Sequence, residues 1–524
     1  MTVFKLDYLT FSNALAEYLQ VTSIHGLHRI GWAKNTIWKV IWTVLFLIAF
    51  GLFVFILVLL TQEYQARPIK TVIKRSNDYE SFAGVTICNL NPMRTDKVSQ
   101  SVLDQYQKFT SLVNWSMAIE EGYPDPYLRE RTTFAMVLAN NGWDARTTLG
   151  HQLHDLIVHC AFDGRECNLD RDFVQFWNDL YGNCFTFNGG NLKSNYSKKV
   201  QTTAGPINGL VLVLNIQSKL YLRTLTEAVG VRVLIHPSTV MPFPDFDGIT
   251  LPGNFEGSVG IDVNEYRHMS KPYGSCSSEV EDRYHYSYST LACHNVCKQD
   301  ATLISCGCLD PTLPLYEGMK ICDINTIAGE ERECHQAVVE AFAEGRESCD
   351  CPVPCVDTQY GIDYSMAKWP NNAFADQILN KTLFFAKDSD GNENKSYPLS
   401  DLVAVKVFFK EIGKTIYQEE AIYTLAHYLT FVGGISALMI GASIISIFEI
   451  LELLYTWATL SCLHYPKWEN RKKRYEKNLH LAQQPGRLVE KEPPPKIEDD
   501  ETINEKILPR MHQAYDNRKV VASH

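Results

Sequence analysis

The stretch that decides the fold is Tyr428-Leu-Thr-Phe-Val-Gly-Gly-Ile-Ser-Ala-Leu-Met-Ile-Gly-Ala-Ser-Ile-Ile-Ser-Ile-Phe448. It carries no charge and is long enough, as a helix, to cross the roughly 30 Å hydrocarbon core of a bilayer. Its small residues, Gly433, Gly434, Ser436, Gly441, Ala442, Ser443 and Ser446, are more than a plain anchor needs. Small side chains let helix backbones approach closely, and their carbonyls and hydroxyls can face water. Two carboxylates follow at Glu449 and Glu452, three apart and so on one helix face. A buried helix of a soluble core is the alternative. Against it stand the length and the basic cluster Lys467, Arg471, Lys472, Lys473, Arg474 and Lys477, which predicts a cytoplasmic C-terminal side.

A second uncharged run lies far upstream, from Val40 to Gln62. A cleaved signal peptide is disfavoured, because 39 residues precede the run and no small-residue cleavage site follows. Two spans with a cytoplasmic C-terminus place the N-terminus in the cytoplasm as well. The predicted organisation is a cytoplasmic segment 1–39, a span 40–62, an extracellular domain 63–427, a second span 428–462 and a cytoplasmic tail 463–524.

The cysteines and glycosylation signals agree with that division. Of 15 cysteines, 14 lie between Cys88 and Cys355, and Cys462 stands alone beyond them. An even number in an oxidising compartment reads as seven disulfides, with zinc sites as the less favoured alternative. All four Asn-x-Ser/Thr sequons, at Asn114, Asn195, Asn380 and Asn394, fall in the same interval. The net charge of −11 is concentrated there too: residues 63–448 hold 46 acidic and 32 basic side chains. This acidity argues against nucleic-acid binding and would concentrate cations near a pore mouth. At 45% apolar residues, the 524-residue chain as a whole is not disordered.

Within the large segment, Gly209–Asn215, Val229–His236 and Leu402–Phe409 read as strands. Leu149, Leu153, Leu156 and Ile157 repeat at helical spacing, as do Ala337, Val338, Ala341 and Phe342. Ten cysteines between Cys276 and Cys355 predict a slender helix pair stapled by disulfides. The tail after Lys477, with Pro493-Pro494-Pro495 and Glu498-Asp499-Asp500-Glu501, reads as largely disordered. The sequence contains no phosphate-binding loop, His-Glu-x-x-His or nucleophile elbow, and His25, His28, His151, His154, His159 and His294 lack ligand spacing. An enzyme, a cofactor and a metal centre are therefore not expected.

Five motifs, in order and between two spans, resemble the degenerin, epithelial sodium and acid-sensing ion channel family. They are His25-Gly26, Phe82-Ala-Gly-Val-Thr-Ile-Cys-Asn-Leu-Asn-Pro92, Tyr181-Gly-Asn-Cys-Phe-Thr-Phe-Asn188, Cys349-Asp-Cys-Pro-Val-Pro-Cys355 and Gly441-Ala442-Ser443. The resemblance implies a membrane protein with two transmembrane helices flanking a disulfide-rich α+β extracellular domain, assembled as a homotrimer or a heterotrimer with family members. Its implied disulfides are Cys88–Cys184, Cys160–Cys167, Cys276–Cys355, Cys293–Cys351, Cys297–Cys349, Cys306–Cys334 and Cys308–Cys322. It further implies a sodium-selective, amiloride-blocked pore in the plasma membrane, with Gly441-Ala442-Ser443 as selectivity filter and His25-Gly26 as a cytoplasmic gating motif. Carbonyls freed at such a break could replace part of a cation's hydration shell, and Glu449 and Glu452 could form acidic rings.

Gating is where the chain departs from the acid-sensing pattern. Ile235-His236 leads into Ser238-Thr239-Val240-Met241 where those members carry an Asp-Glu pair, and Arg67-Pro68 stands where they carry paired histidines. Phe431 replaces the acidic residue of the outer pore constriction, and Thr430 falls at the degenerin position, with Gly433 and Gly434 just after them. The expectation is a ligand-gated sodium channel opened by a short amidated neuropeptide of the FMRFamide type, a cationic aromatic ligand suited to an acidic ectodomain. Proton-gated or constitutively active channels of the same family are the alternatives, and a non-conducting disulfide-rich receptor or adhesion protein is the alternative of another class.

Overall fold

The computed structural model describes residues 15–16, 18–78, 81–104, 134–135, 137, 143–190, 198–222, 226, 228–278, 286–316, 318–324, 329–371, 373–375 and 398–458. Asn114, Asn195, Asn380, Asn394, Cys462, the basic cluster from Lys467 to Lys477 and the tail lie outside the described residues. The chain divides into two units, Met1–Leu60 with Tyr428–His524, and Thr61–His427.

A short helix α1 (Leu27–Trp32) precedes the long helix α2 (Thr36–Ala66), whose residues as far as Leu60 belong to the first unit. The Asn35 carboxamide oxygen accepts from the Ile37 amide at 3.1 Å and starts α2. Its 31 residues measure about 46 Å at 1.5 Å per residue. The helix overruns the apolar stretch 40–62 at both ends because Thr36–Lys39 and Glu63–Ala66 are adequate helix formers. It stops at Arg67, which takes a left-handed φ of 50° ahead of Pro68. The second apolar run is not one rod. Helix α5 (Leu425–Ile440) and helix α6 (Ile444–Ala458) meet at 73°, and the three residues between them are Gly441, Ala442 and Ser443.

The second unit is built on two sheets. Five strands, β5 (Phe173–Asn178), β6 (Gly182–Phe187), β2 (Gly84–Asn89), β8 (Gly230–His236) and β9 (Ile249–Pro252), lie side by side in that order. A seven-stranded sheet runs β11 (Val356–Lys368), β10 (Phe255–Arg267), β12 (Leu402–Ala421), β7 (Leu210–Asn215), β3 (Ile157–Phe162) and β4 (Arg165–Glu166), with β1 (Ile69–Ser76) pairing on β12 as well. All six residues of β2 and of β6 are buried, as befits strands covered on both faces. The core holds an aromatic cluster in which Phe82 meets Phe162 at 5.0 Å and Phe409 at 5.3 Å.

β12 is longer than the alternating apolar pattern indicated. Its buried first half pairs with β7 through Leu402–Val407, whereas Lys414–Ala421 pairs with β1 and is mostly half-buried. That second half mixes charged and apolar residues, so hydrophobic period alone did not extend the strand. Ile157 likewise opens β3 and does not continue the helical turn Leu153–Leu156. β-branched Ile157-Val158 suits a strand, and β7 supplies the partner.

Seven disulfides join the same pairs that the resemblance implies. Cys88 and Cys184 are direct cross-strand neighbours in the β2–β6 register. Helices α3 (Thr290–Cys306) and α4 (Glu330–Ala343) form the slender pair, tied by Cys306–Cys334. Cys293 and Cys297, one turn apart on α3, reach Cys351 and Cys349 in the segment after α4. Two of the five motifs prove to be structural. Gly182 has φ 67°, and a β-carbon there would lie 2.1 Å from the Pro92 carbonyl oxygen, so Tyr181-Gly182 and Asn91-Pro92 interlock.

Candidate functional site

The candidate site is the break in the second apolar run. Gly441 ends α5 in the left-handed region with φ 62°, its amide still donating to the Ala437 carbonyl at 3.0 Å. The Ala442 amide reaches back to the Ser436 carbonyl at 3.2 Å. Ser443 then caps α6: its amide donates to Ser446 Oγ at 3.0 Å, and the Ser446 amide donates to Ser443 Oγ at 3.4 Å. This is a capping box with serine in place of the usual glutamate. The tripeptide thus carries a C-terminal stop and an N-terminal start in three residues.

The turn around His25-Gly26 seats against this break. The His25 amide donates to the Ile440 carbonyl at 2.9 Å, supplying a donor to the last turn of α5. A β-carbon on Gly441 would stand 2.4 Å from Cγ of the His25 ring and 2.5 Å from its Nδ1. Gly441 is therefore required twice, by its φ and by the imidazole beside it. Gly26 also has positive φ, 87°, and a β-carbon there would meet the Phe46 ring of α2 at 3.2 Å.

Three further hydrogen bonds tighten the contact. Ser23 Oγ and Ser446 Oγ are 2.7 Å apart. Glu449 Oε2 accepts from both the Thr22 hydroxyl and the Ser23 amide, each at 3.0 Å. Thr22, Ile24, Ile440 and Ser446 are buried, whereas Ser23 is exposed, so the contact lies at the edge of the packed surface.

The sequence-predicted residues therefore part company. His25, Gly26, Gly441, Ala442, Ser443 and Glu449 converge. Glu452, exposed and one turn further along α6, does not join them. Thr430, Phe431, Gly433 and Gly434 lie on α5 two to three turns before the break; Thr430 and Phe431 are exposed, and nothing lies within 4 Å of a β-carbon built on either glycine. Thr22 and Ser23 were missed by sequence reasoning, and Ser446, marked there only as a small residue of the second run, proves to be a partner of Ser23 and Ser443. The Ser443-x-x-Ser446 spacing was a legible cap signal, but nothing marks Thr22-Ser23 as partners of a glutamate more than 400 positions away.

Outside the break, two buried histidines bear on acid response. His236 Nδ1 donates to the Pro237 carbonyl at 2.9 Å and Nε2 accepts from Thr86 at 2.8 Å. His151 is held between Gln217 at 2.8 Å and Asn91 at 3.0 Å. Burial brings both imidazoles down to about 4, so each is neutral at physiological pH.

A family model described as amiloride-sensitive sodium channel matches residues 18–453. Degenerin-like protein unc-105 of Caenorhabditis elegans is 31% identical over 59% of this chain and 35% of its own length. Acid-sensing ion channel 4 of Mus musculus is 28% identical over 84% of this chain and 79% of its own. Epithelial sodium channel subunit gamma of Xenopus laevis is 29% identical over 70% and 54%. The chain spans less than half the length of the nematode degenerins it matches.

Proposed function

The chain belongs to the amiloride-sensitive sodium channel family, and on that premise we propose that it forms a ligand-gated, sodium-selective cation channel of the plasma membrane. The observation that carries the reading is the 73° break at Gly441–Ser443, sealed on one side by the His25-Gly26 turn. Non-helical backbone at membrane depth is tolerated only where it faces protein or water. A break packed against the N-terminal segment on one side and open to a shared axis on the other meets that condition in a trimer of this chain, alone or with family members. Backbone carbonyls at the tripeptide act as the selectivity filter, with amiloride as blocker. Glu452 contributes an acidic ring below it, and Glu449 both adds charge and anchors the turn.

An extracellular amidated peptide is the proposed agonist. Support comes from the sites where acid would have to act. His236 is buried and neutral, and the Asp-Glu pair expected after it is absent from Pro237–Met241.

Expression in oocytes tests both levels. Separate application of acid and of amidated cationic peptides should evoke an amiloride-blocked sodium current with peptide alone. Ser443→Leu should alter selectivity or abolish the current. A large acid-evoked current without a peptide response overturns the agonist, and absence of sodium current under any stimulus overturns the channel.

A further inference from the structure

From Tyr18 to Gln62 the chain contains no Asp or Glu, and its Lys and Arg side chains there are Arg29, Lys34 and Lys39. All three are exposed, and among the described residues none of them meets a carboxylate. The strand lysines of the second unit are treated differently. Lys74, Lys406, Lys410 and Lys414 are each neutralised by a Glu or Asp. The N-terminal cations are left without a counter-charge from the fold.

The fold also gathers two of them onto one face. Asn35, Lys39, Trp42 and Phe46 lie along a single side of α2 by their spacing of three and four residues. Helix α1 folds back over that side. The Arg29 guanidinium stands 6.0 Å from the centre of the Trp42 ring, at the limit of cation–π attraction. One turn earlier in α1, the backbone at Gly26 abuts the Phe46 ring. The Trp42 indole therefore brings Arg29 of α1 to the face that carries Lys39 of α2.

The surroundings specify what this corner can hold. Lys39 is the last charge before the apolar run that opens at Val40, and Trp38, 55% exposed, and Trp42 bracket it. Amphipathic indole rings settle at the headgroup level of a bilayer, and basic residues there attract anionic lipid. Ile37, Val40 and Ile41 are exposed beside them and offer an apolar surface to acyl chains. A soluble anion makes no use of that surface, and a zwitterionic lipid brings no net charge to three unpaired cations. The occupant is thus anionic, bears a phosphate and is acylated. Only Arg29 is held by a fixed partner, whereas lysine is a mobile point charge, so the corner suits one phosphate and not a cage of several.

We infer that the corner between α1 and α2 binds a singly phosphorylated anionic phospholipid of the phosphatidylserine class. Arg29 and Lys39 take the phosphate, Lys34 adds charge at the surface, and Trp38 and Trp42 flank the glycerol. The inference rests on the reading of α2 as a membrane span. It carries a consequence for the break. The Ile30 amide donates to the Gly26 carbonyl at 3.0 Å, so α1 is continuous with the His25-Gly26 turn. A lipid that clasps α1 to α2 also steadies the turn against Gly441.

The test uses the full-length chain in nanodiscs of phosphatidylcholine, alone or with an equal amount of phosphatidylserine, and native mass spectrometry of the lipid retained after mild detergent. Phosphatidylserine should be retained in preference to phosphatidylcholine. Arg29→Gln and Lys39→Gln should each lower that preference about fivefold, the equivalent of about 1 kcal/mol per cation at an anionic surface. Trp42→Ala should lower it too although every charge remains, and Trp42→Phe should restore it. Lys70→Gln, at a lysine that faces Glu420, should change nothing. In a Ser23→Cys, Ser446→Cys, Cys462→Ser chain, phosphatidylserine should speed disulfide cross-linking, and Arg29→Gln should cancel the gain. Equal retention of the two lipids, or a preference untouched by Arg29→Gln and Lys39→Gln, overturns the site. Loss with the charges but not with Trp42→Ala overturns it in favour of diffuse attraction, and stronger retention of a phosphoinositide bisphosphate overturns the single-phosphate assignment. Lipid preference without faster cross-linking overturns the coupling to the break. A chain that retains the lipid but passes no sodium current in oocytes upholds the site and overturns the channel, whereas one that does not insert into the nanodisc overturns the span and the site together.

Discussion

Replacing Gly441 by alanine should undock the His25-Gly26 turn from the break between α5 and α6. The first cost is backbone strain. A non-glycine residue held near φ 62° loses about 1–2 kcal/mol. The second cost is steric, since the new β-carbon would sit 2.4 Å from the His25 ring and the imidazole must swing away. Overpacking of this kind costs about 1–3 kcal/mol. Together they amount to at least about 2 kcal/mol against the docked arrangement, roughly a 30-fold shift in its equilibrium. The bonds at stake are His25 to Ile440 at 2.9 Å, Ser23 to Ser446 at 2.7 Å, and the two on Glu449. A cysteine pair reads the docking directly. In a Cys462→Ser background, Ser23→Cys with Ser446→Cys places two thiols where hydroxyls now touch, and copper-phenanthroline should link them rapidly. Adding Gly441→Ala should slow the link by an order of magnitude or more. Gly434→Ala is the control, because nothing lies within 4 Å of a β-carbon there and cross-linking should be unchanged. Equal cross-linking rates with and without Gly441→Ala would refute the reasoning, whatever the current does.

Two further outcomes follow from the second unit. His151 and His236 are brought down from 6.5 to about 4, so the unfolded chain takes up two protons that the folded chain refuses. Their stabilisation is complete above pH 6.5 and is lost as pH falls from 6.5 toward 4, by about 1.4 kcal/mol per pH unit for each. Thermal unfolding of the purified full chain should therefore drop between pH 7 and 5, less steeply in His236→Gln, and a melting point flat across that window would count against neutral buried imidazoles. Gly182→Ala has no room beside Pro92 and carries φ 67°, so it should destabilise the five-stranded sheet by roughly 2–4 kcal/mol. Surface yield at 30 °C and 37 °C checks this: loss at the higher temperature is expected, and normal yield at both would show that the two motifs do not interlock.

Much of the molecule was legible from residue order. Uncharged length marks α2, and the strands β7 and β8 follow from β-branched runs with at most one residue of difference at their starts. Ile157 and the second half of β12 were not legible, because each is a strand by virtue of a partner far away in sequence, β7 in one case and β1 in the other. Local propensity is a weak prior there, and pairing decides.

Composition and spacing, by themselves, determined that this chain has two apolar runs, a cysteine-rich block between them and a glycine-rich weak point in the second run. Those are properties of single segments, set by hydrophobic length, charge and backbone permissiveness. Tertiary structure alone decided what that weak point packs against. The 73° turn, the imidazole packed on Gly441 and the capture of Thr22 and Ser23 by Glu449 bring together residues more than 400 positions apart. Hydrogen bonds and steric contact are local in space and not along the chain, so no periodicity announces them.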